Sequence, residues 1–375
     1  MQASAAQDRL HYMDHLRALA MLAGVFFHAA LAYSPLMSGF WPLADRQSSA
    51  WVDGVVWGLH LVRMPLFFLV AGFFAAWVVE RRGQGGLFRQ RLRRIALPFV
   101  IALPLALWAL SASTVWAATN VEHASPMLVM IGGFLAMDDT PRAPPGTTYL
   151  WFLYYLLLFT VLHWVVRTLG AGHLGRWLVG RPPAWLLLGL PLLLVPALAS
   201  VSAPHPAPEG FLPQFWALIF YGAFFSLGAL LHGQPDWLAR ARRFAPWLAL
   251  ACVALYAAFL WRLAVELPTQ SFGSTASWPV ATLEAFLSVW LTVLCLLAGQ
   301  RLLDRANPAM RYLAQSAYWT YLLHLPLLFL LQYRLMDLDW PWPLKFAAAS
   351  LGTLAACLLS YQLLVRHTPL RRFVG

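Results

Sequence analysis

Residues 12–35 read YMDHLRALAMLAGVFFHAALAYSP, an apolar run long enough to cross a bilayer that carries Asp14 and Arg17 at its start and His28 inside it. Hydrocarbon penalises an ionisable group, so such residues must find a partner or face a wet interior, and their presence points to function. On a helix rising about 1.5 Å per residue, Arg17 and His28 stand roughly 16 Å apart along the axis and within roughly a hundred degrees of each other around it. That spacing suits a shaft entered from one side, with a cation at its mouth and an imidazole at depth.

The rest of the chain has the same character. Only 11% of its residues are charged, whereas a soluble domain carries about 25%. A net charge of +11 would suggest nucleic acid in a soluble protein. Here topology accounts for it, and no nucleic-acid partner is expected. Apolar windows predict ten transmembrane helices, at about 14–34, 52–79, 95–118, 149–168, 184–201, 213–232, 246–264, 280–299, 312–333 and 342–365. With both termini cytoplasmic, each inner segment holds at least two basic residues and each outer one at most two, which is the positive-inside pattern. The expected fold is therefore all-α: a polytopic integral membrane bundle of about ten helices, one domain over residues 1–375, with no cleavable signal peptide. Cys252, Cys295 and Cys357 fall in apolar runs without metal-ligand spacing, so neither a disulfide framework nor a metal is expected.

Other ionisable residues extend the theme. His60 and Arg63, at i and i+3, share one helix face, with Pro65 expected to open the backbone ladder nearby and Ala71-Gly72 to allow close helix packing. The basic loop of residues 80–99 reads either as a topogenic, headgroup-facing segment or as an anion site, in which Arg91 and Arg94 fork onto one phosphate. Residues 127–137 are too short to span and read as a re-entrant or interfacial helix. The YLWFL block brings Tyr149 and Trp151 to an interface. Glu284 needs a partner or a wet cavity, and His324, followed by Pro326, is a third deep histidine beside His28 and His60.

Imidazole is suited to proton transfer near neutrality, so a cavity-lining histidine can serve as general base toward an alcohol. Arginines at the cytoplasmic end can hold a phosphorylated carrier, and the shaft is of the right order for a pantetheine-like arm. The chemistry this supports is acyl transfer from a cytoplasmic thioester to a hydroxyl presented from outside. Spacing alone leaves a proton-coupled transporter equally open.

Arg17, ten intervening residues and His28 resemble the arginine-x10-histidine motif of the acyltransferase-3 family, and Arg91-Leu92-Arg93-Arg94 resembles its RxxR motif. In order, YMDHLRALAMLAGVFFHAALAYS, HLVRMPLFFLVAGFF, RQRLRRIALPF, YLWFL and YWTYLLHLPL resemble the blocks of its glucans biosynthesis protein C branch. That resemblance implies a multi-pass protein of the bacterial inner membrane that moves a succinyl group from succinyl-CoA to hydroxyls of a periplasmic glucan. It implies that His28 is the catalytic base or its immediate neighbour, with Asp14 placed to orient Arg17, and that Arg17, Arg91 and Arg94 contact the phosphates of the acyl-CoA. His60, Arg63 and His324 would line the pore, with Tyr149, Trp151 and Glu284 as further pore or acceptor-side positions. The chain departs from the branch at Tyr149, where a histidine precedes the LWFL block. An acetyltransferase of another polysaccharide or metabolite is the nearest alternative within the family.

Overall fold

The computed structural model describes residues 11–137, 146–170, 172–234, 236–267 and 274–374. Among these the chain is helical, with no named strand and one isolated antiparallel bridge between Gly146 and Gly210. The first half holds α1 (His11–Ala30), α2 (Ala50–Arg91), α3 (Leu97–Asn120), α4 (Pro126–Leu135), α5 (Trp151–Thr168), α6 (Gly172–Gly180) and α7 (Pro183–Leu198). The second holds α8 (Phe215–His232), α9 (Asp236–Ala241), α10 (Ala245–Glu266), α11 (Trp278–Leu302), α12 (Pro308–Leu335), α13 (Trp342–Ser360) and α14 (Arg371–Val374).

Each of the ten expected spans contains a helix, but seven helical stretches are long and apolar enough to cross a membrane. The difference has three sources. Ala50–Asn120 is one 71-residue stretch that covers two expected spans. Helix α7 has only 16 residues. Helix α12 has 28, but Gln315, Ser316, Thr320 and His324, with the tyrosines and tryptophan between them, dilute the apolar character of its middle. The basic segment expected as a loop is also helical. Helix α2 continues to Arg91 and a π-helical turn, Leu92–Ala96, leads directly into α3. The change of direction is made at Gly83, whose φ of +66° is a left-handed conformation that a glycine adopts without a Cβ penalty.

Local chemistry sets several boundaries. The Asn307 side chain accepts from the backbone N–H groups of Ala309 and Met310, with Pro308 supplying a first residue that needs no donor partner. Ser277 and Ser125 cap α11 and α4 in the same way.

Helix α1 packs among α2, α11, α12 and α13, so its ionisable residues face protein on several sides. The tightest pairing is α2 with α8. A Cβ on Gly72 would lie 1.9 Å from the Phe225 carbonyl oxygen, and one on Gly228 would lie 1.8 Å from that of Leu69. The expected close approach at Gly72 is present, and α8 answers it with a glycine of its own.

Candidate active site

Helix α1 carries Arg17 near its start and His28 near its end, and these two residues line different cavities. The first, about 460 Å³, is lined by Arg17, Ala71, Gln90, Arg91, Arg94, Gln315, Tyr318 and Arg371, with Phe67, Phe152 and Tyr321 at its inner limit. Arg17 donates to the Ala314 carbonyl at 3.1 Å and pairs with Asp14 at 3.3 Å. Arg91 reaches the Ala71 carbonyl at 3.4 Å, and Arg94 is exposed at the same cavity. An adjoining space of about 510 Å³ shares Gln315 and Arg371 and adds His11, Asp14, Arg311 and Arg366. Arg371 belongs to a C-terminal basic group that reads in sequence as topogenic charge. Only the fold turns it toward Arg91 and Arg94.

The second cavity, about 610 Å³, lies at the other end of α1 and is lined by His28, Trp41, Trp57, His60, Arg63, Tyr149, Trp151, His205, Tyr221, Tyr321 and His324, among others. A pinch of about 20 Å³ lies between the two. It shares Met21, Phe67, Phe152 and Tyr321 with the first cavity, and Arg63, Met64, Tyr321 and His324 with the second. Arg17 and His28 therefore line cavities on either side of this pinch.

Around His28 the packing is aromatic: its ring lies 5.1 Å from Phe27, 5.4 Å from His324 and 6.2 Å, stacked, from Trp41. His324 Nδ1 donates to the Tyr321 carbonyl at 2.8 Å. A carbonyl can only accept, so the proton is on Nδ1 and the buried, unpartnered Nε2 presents its lone pair. Pro326 has no N–H for the Leu322 carbonyl four residues earlier, and the Tyr149 hydroxyl donates to that carbonyl at 2.5 Å. The Tyr321 hydroxyl returns a bond to the Tyr149 carbonyl at 2.6 Å. Tyr149 thus locks the start of α5 to α12, and the carbonyl freed by proline is taken by a tyrosine rather than by His324.

Arg63 stacks over Phe27, its guanidinium carbon 4.4 Å from the ring centre, beside the space left by Gly24. Trp151 packs 5.0 Å from Tyr221. His60 faces His205 at 4.3 Å between ring centres. Glu284 stands one layer back from the cavity: its Oε1 accepts from the backbone N–H of His205 at 3.1 Å and lies 2.6 Å from His205 Nδ1. His205 has no counterpart among the sequence candidates. It sits between α7 and α8 in a proline-rich stretch that reads as a solvated loop, and the unmet need of Glu284 for a partner was its one signal.

A helical bundle with seven stretches of membrane-crossing length, an arginine-lined cavity and a histidine-lined cavity defines a multi-pass membrane protein. The chain belongs to the acyltransferase domain family, whose model matches residues 10–362, and it is an acyltransferase. It is similar to glucans biosynthesis protein C of Escherichia coli K12, at 24% identity over 382 residues covering 98% of this chain and 94% of that protein. The protein of the same name from Escherichia coli O157:H7 is 24% identical over 381 residues, with the same coverage. No solved structure matches.

Proposed function

We propose that the protein transfers a succinyl group from succinyl-CoA on the cytoplasmic side of the bacterial inner membrane to hydroxyls of a periplasmic glucan. In this reading the chain spans the lipid bilayer ten times, with both termini cytoplasmic, and α7 and α12 contribute two of the spans. The observation that carries it is the pair of cavities with Tyr321 common to both and the pinch lined by Arg63 between them. Arg17, Arg91 and Arg94 hold the CoA phosphates, where guanidinium forks give bidentate, charge-assisted bonds. The pantetheine arm passes Met21, Phe67 and Phe152, and its thioester emerges beside His28.

The acceptor oxygen attacks the thioester carbonyl carbon, the carbon–sulfur bond breaks, and an imidazole of the second cavity carries the proton released by the hydroxyl. General acid–base assistance of this kind contributes about 10²–10⁴-fold. His28, at the end of the shaft, is the imidazole at the reacting thioester. The relatives' name refers to glucans, and Trp41, Trp57 and Trp151 give the second cavity broad apolar faces suited to a sugar ring.

The test is mass spectrometry of periplasmic glucans from cells lacking the gene, complemented with wild type or His28→Ala at matched membrane abundance. A succinate mass increment restored by wild type and lost in the variant is expected. Glucans of unchanged mass in every strain would remove the succinyl-glucan assignment.

A further inference from the structure

We infer that His205, held by Glu284, is the base that takes the proton from the acceptor hydroxyl, while His28 attends the thioester end of the same cavity. The inference rests on the acyl-transfer reading above and names a residue that neither the family motifs nor the sequence pattern singles out.

Glu284 and His205 are almost wholly inaccessible, with 0% and 1% of their side chains exposed. Because Glu284 Oε1 already accepts from the His205 backbone N–H, it is an acceptor toward Nδ1 as well, and the Nδ1 proton is fixed in place. That leaves His205 Nε2 with its lone pair, buried and without a hydrogen-bond partner, on a residue that lines the second cavity. A carboxylate behind an imidazole sets its tautomer and stabilises the imidazolium formed when a proton arrives. His28 has no such support. Its ring neighbours are Phe27, Trp41 and His324, and among the described residues no carboxylate pairs with it.

The donor atoms of His60, His205 and Glu284 lie within 4.8 Å of one another, a grouping that could also suggest a metal. The 2.6 Å between Nδ1 and Oε1 is a hydrogen-bond length. Two ligands about 2.1 Å from a tetrahedral zinc ion stand about 3.4 Å apart, so Nδ1 and Oε1 share a hydrogen bond and do not both ligate one ion.

As the acceptor oxygen bonds to the carbonyl carbon, its proton passes to His205 Nε2. The carbon–sulfur bond then breaks with its electron pair on sulfur, and the thiolate takes up the proton that His205 gives back. Ester and free thiol are the only products, and no further reactant is needed.

The experiment uses full-length protein in proteoliposomes, succinyl-CoA as donor, and glucan purified from cells lacking the gene as acceptor. It measures transfer rate and, separately, CoA affinity for wild type, His205→Ala, Glu284→Gln and His28→Ala. His205→Ala is expected to lower kcat by about 10²–10⁴-fold with CoA affinity within two-fold of wild type, and added imidazole to restore part of the rate. Glu284→Gln, which keeps shape and an acceptor oxygen, is expected to lower kcat by about 10-fold or more. Transfer by His205→Ala within two-fold of wild type overturns the inference, as does imidazole rescue of His28→Ala with none of His205→Ala. Loss of CoA binding together with transfer in both His205→Ala and Glu284→Gln would mark a structural pair and overturn it too. Stoichiometric zinc in wild type that disappears in His205→Ala would replace the dyad by a metal site. Wild-type protein that acylates no glucan would instead overturn the functional reading itself.

Discussion

Arg63 places its guanidinium carbon 4.4 Å from the centre of the Phe27 ring, and among the described residues no carboxylate pairs with it. A cation–π contact contributes about 0.5–2 kcal/mol, well short of the several kcal/mol it takes to strip a cation of water. A succinyl group would bring the missing anion to the constriction, whereas an acetyl group would not. Arg63→Met is therefore expected to lose succinyl transfer at least about 10-fold more than acetyl transfer, since one charged hydrogen bond contributes about 1.5–3 kcal/mol. Parallel assays with succinyl-CoA and acetyl-CoA decide it, and equal losses would mean that Arg63 does not read the acyl group.

The cavity at the other end of α1 makes a different kind of prediction. Arg91 and Arg94 point into the same space as Arg17 and Arg371, and a lysine keeps the charge but not the planar fork. Arg91→Lys and Arg94→Lys are each expected to raise KM for acyl-CoA by about 10-fold, with kcat changed far less, because the contact is made equally before and during reaction. Arg371→Ala should act in the same direction. A fall in kcat at unchanged KM in any of the three would place that residue at the chemistry instead.

Helix content and the placing of Arg17 and His28 at opposite ends of α1 were legible because apolar length and the helical rise are local properties. The number of membrane-length helices was less so. Gly83 breaks the helix with a single non-helical residue and a second helical segment starts at once, so a basic stretch with the composition of a loop is built as a kink, a helix and a π-turn. Glu284 announced that it needed a partner, but His205 is 79 positions away and no local pattern joins them. Pro326 announced a free carbonyl, yet its acceptance of the Tyr149 hydroxyl depends on how α5 meets α12. Long-range pairings of this kind are set by packing and leave no periodic trace.

The α2–α8 contact is where packing is least forgiving. Gly72 and Gly228 each face a backbone carbonyl, and backbone cannot rotate out of the way as a side chain can. Small residues let membrane helices approach closely, and over-packing such a site costs about 1–3 kcal/mol. Gly72→Ala and Gly228→Ala are each expected to lower the Tm of the detergent-solubilised protein. Because α2 also carries His60 and Arg63, each should also reduce transfer. An unchanged Tm in both would show that the helices are not held this tightly.

Lys345 and Asp45 form a buried ion pair at 2.8 Å, with 0% and 3% of their side chains exposed. The lysine also donates to the Met336 carbonyl at 3.0 Å, tying the segment after α1 to the turn between α12 and α13. Removing one member of such a pair leaves a charge buried without compensation and costs about 3–5 kcal/mol, whereas removing both can be close to neutral. Lys345→Met should therefore lower Tm strongly, Asp45→Asn should do the same, and the double variant should recover much of the loss. That recovery separates a paired-charge effect from lost packing, since Lys345→Met keeps most of the side-chain volume. Additive losses in the double-mutant cycle would show that the two residues act independently, each through its own backbone contacts.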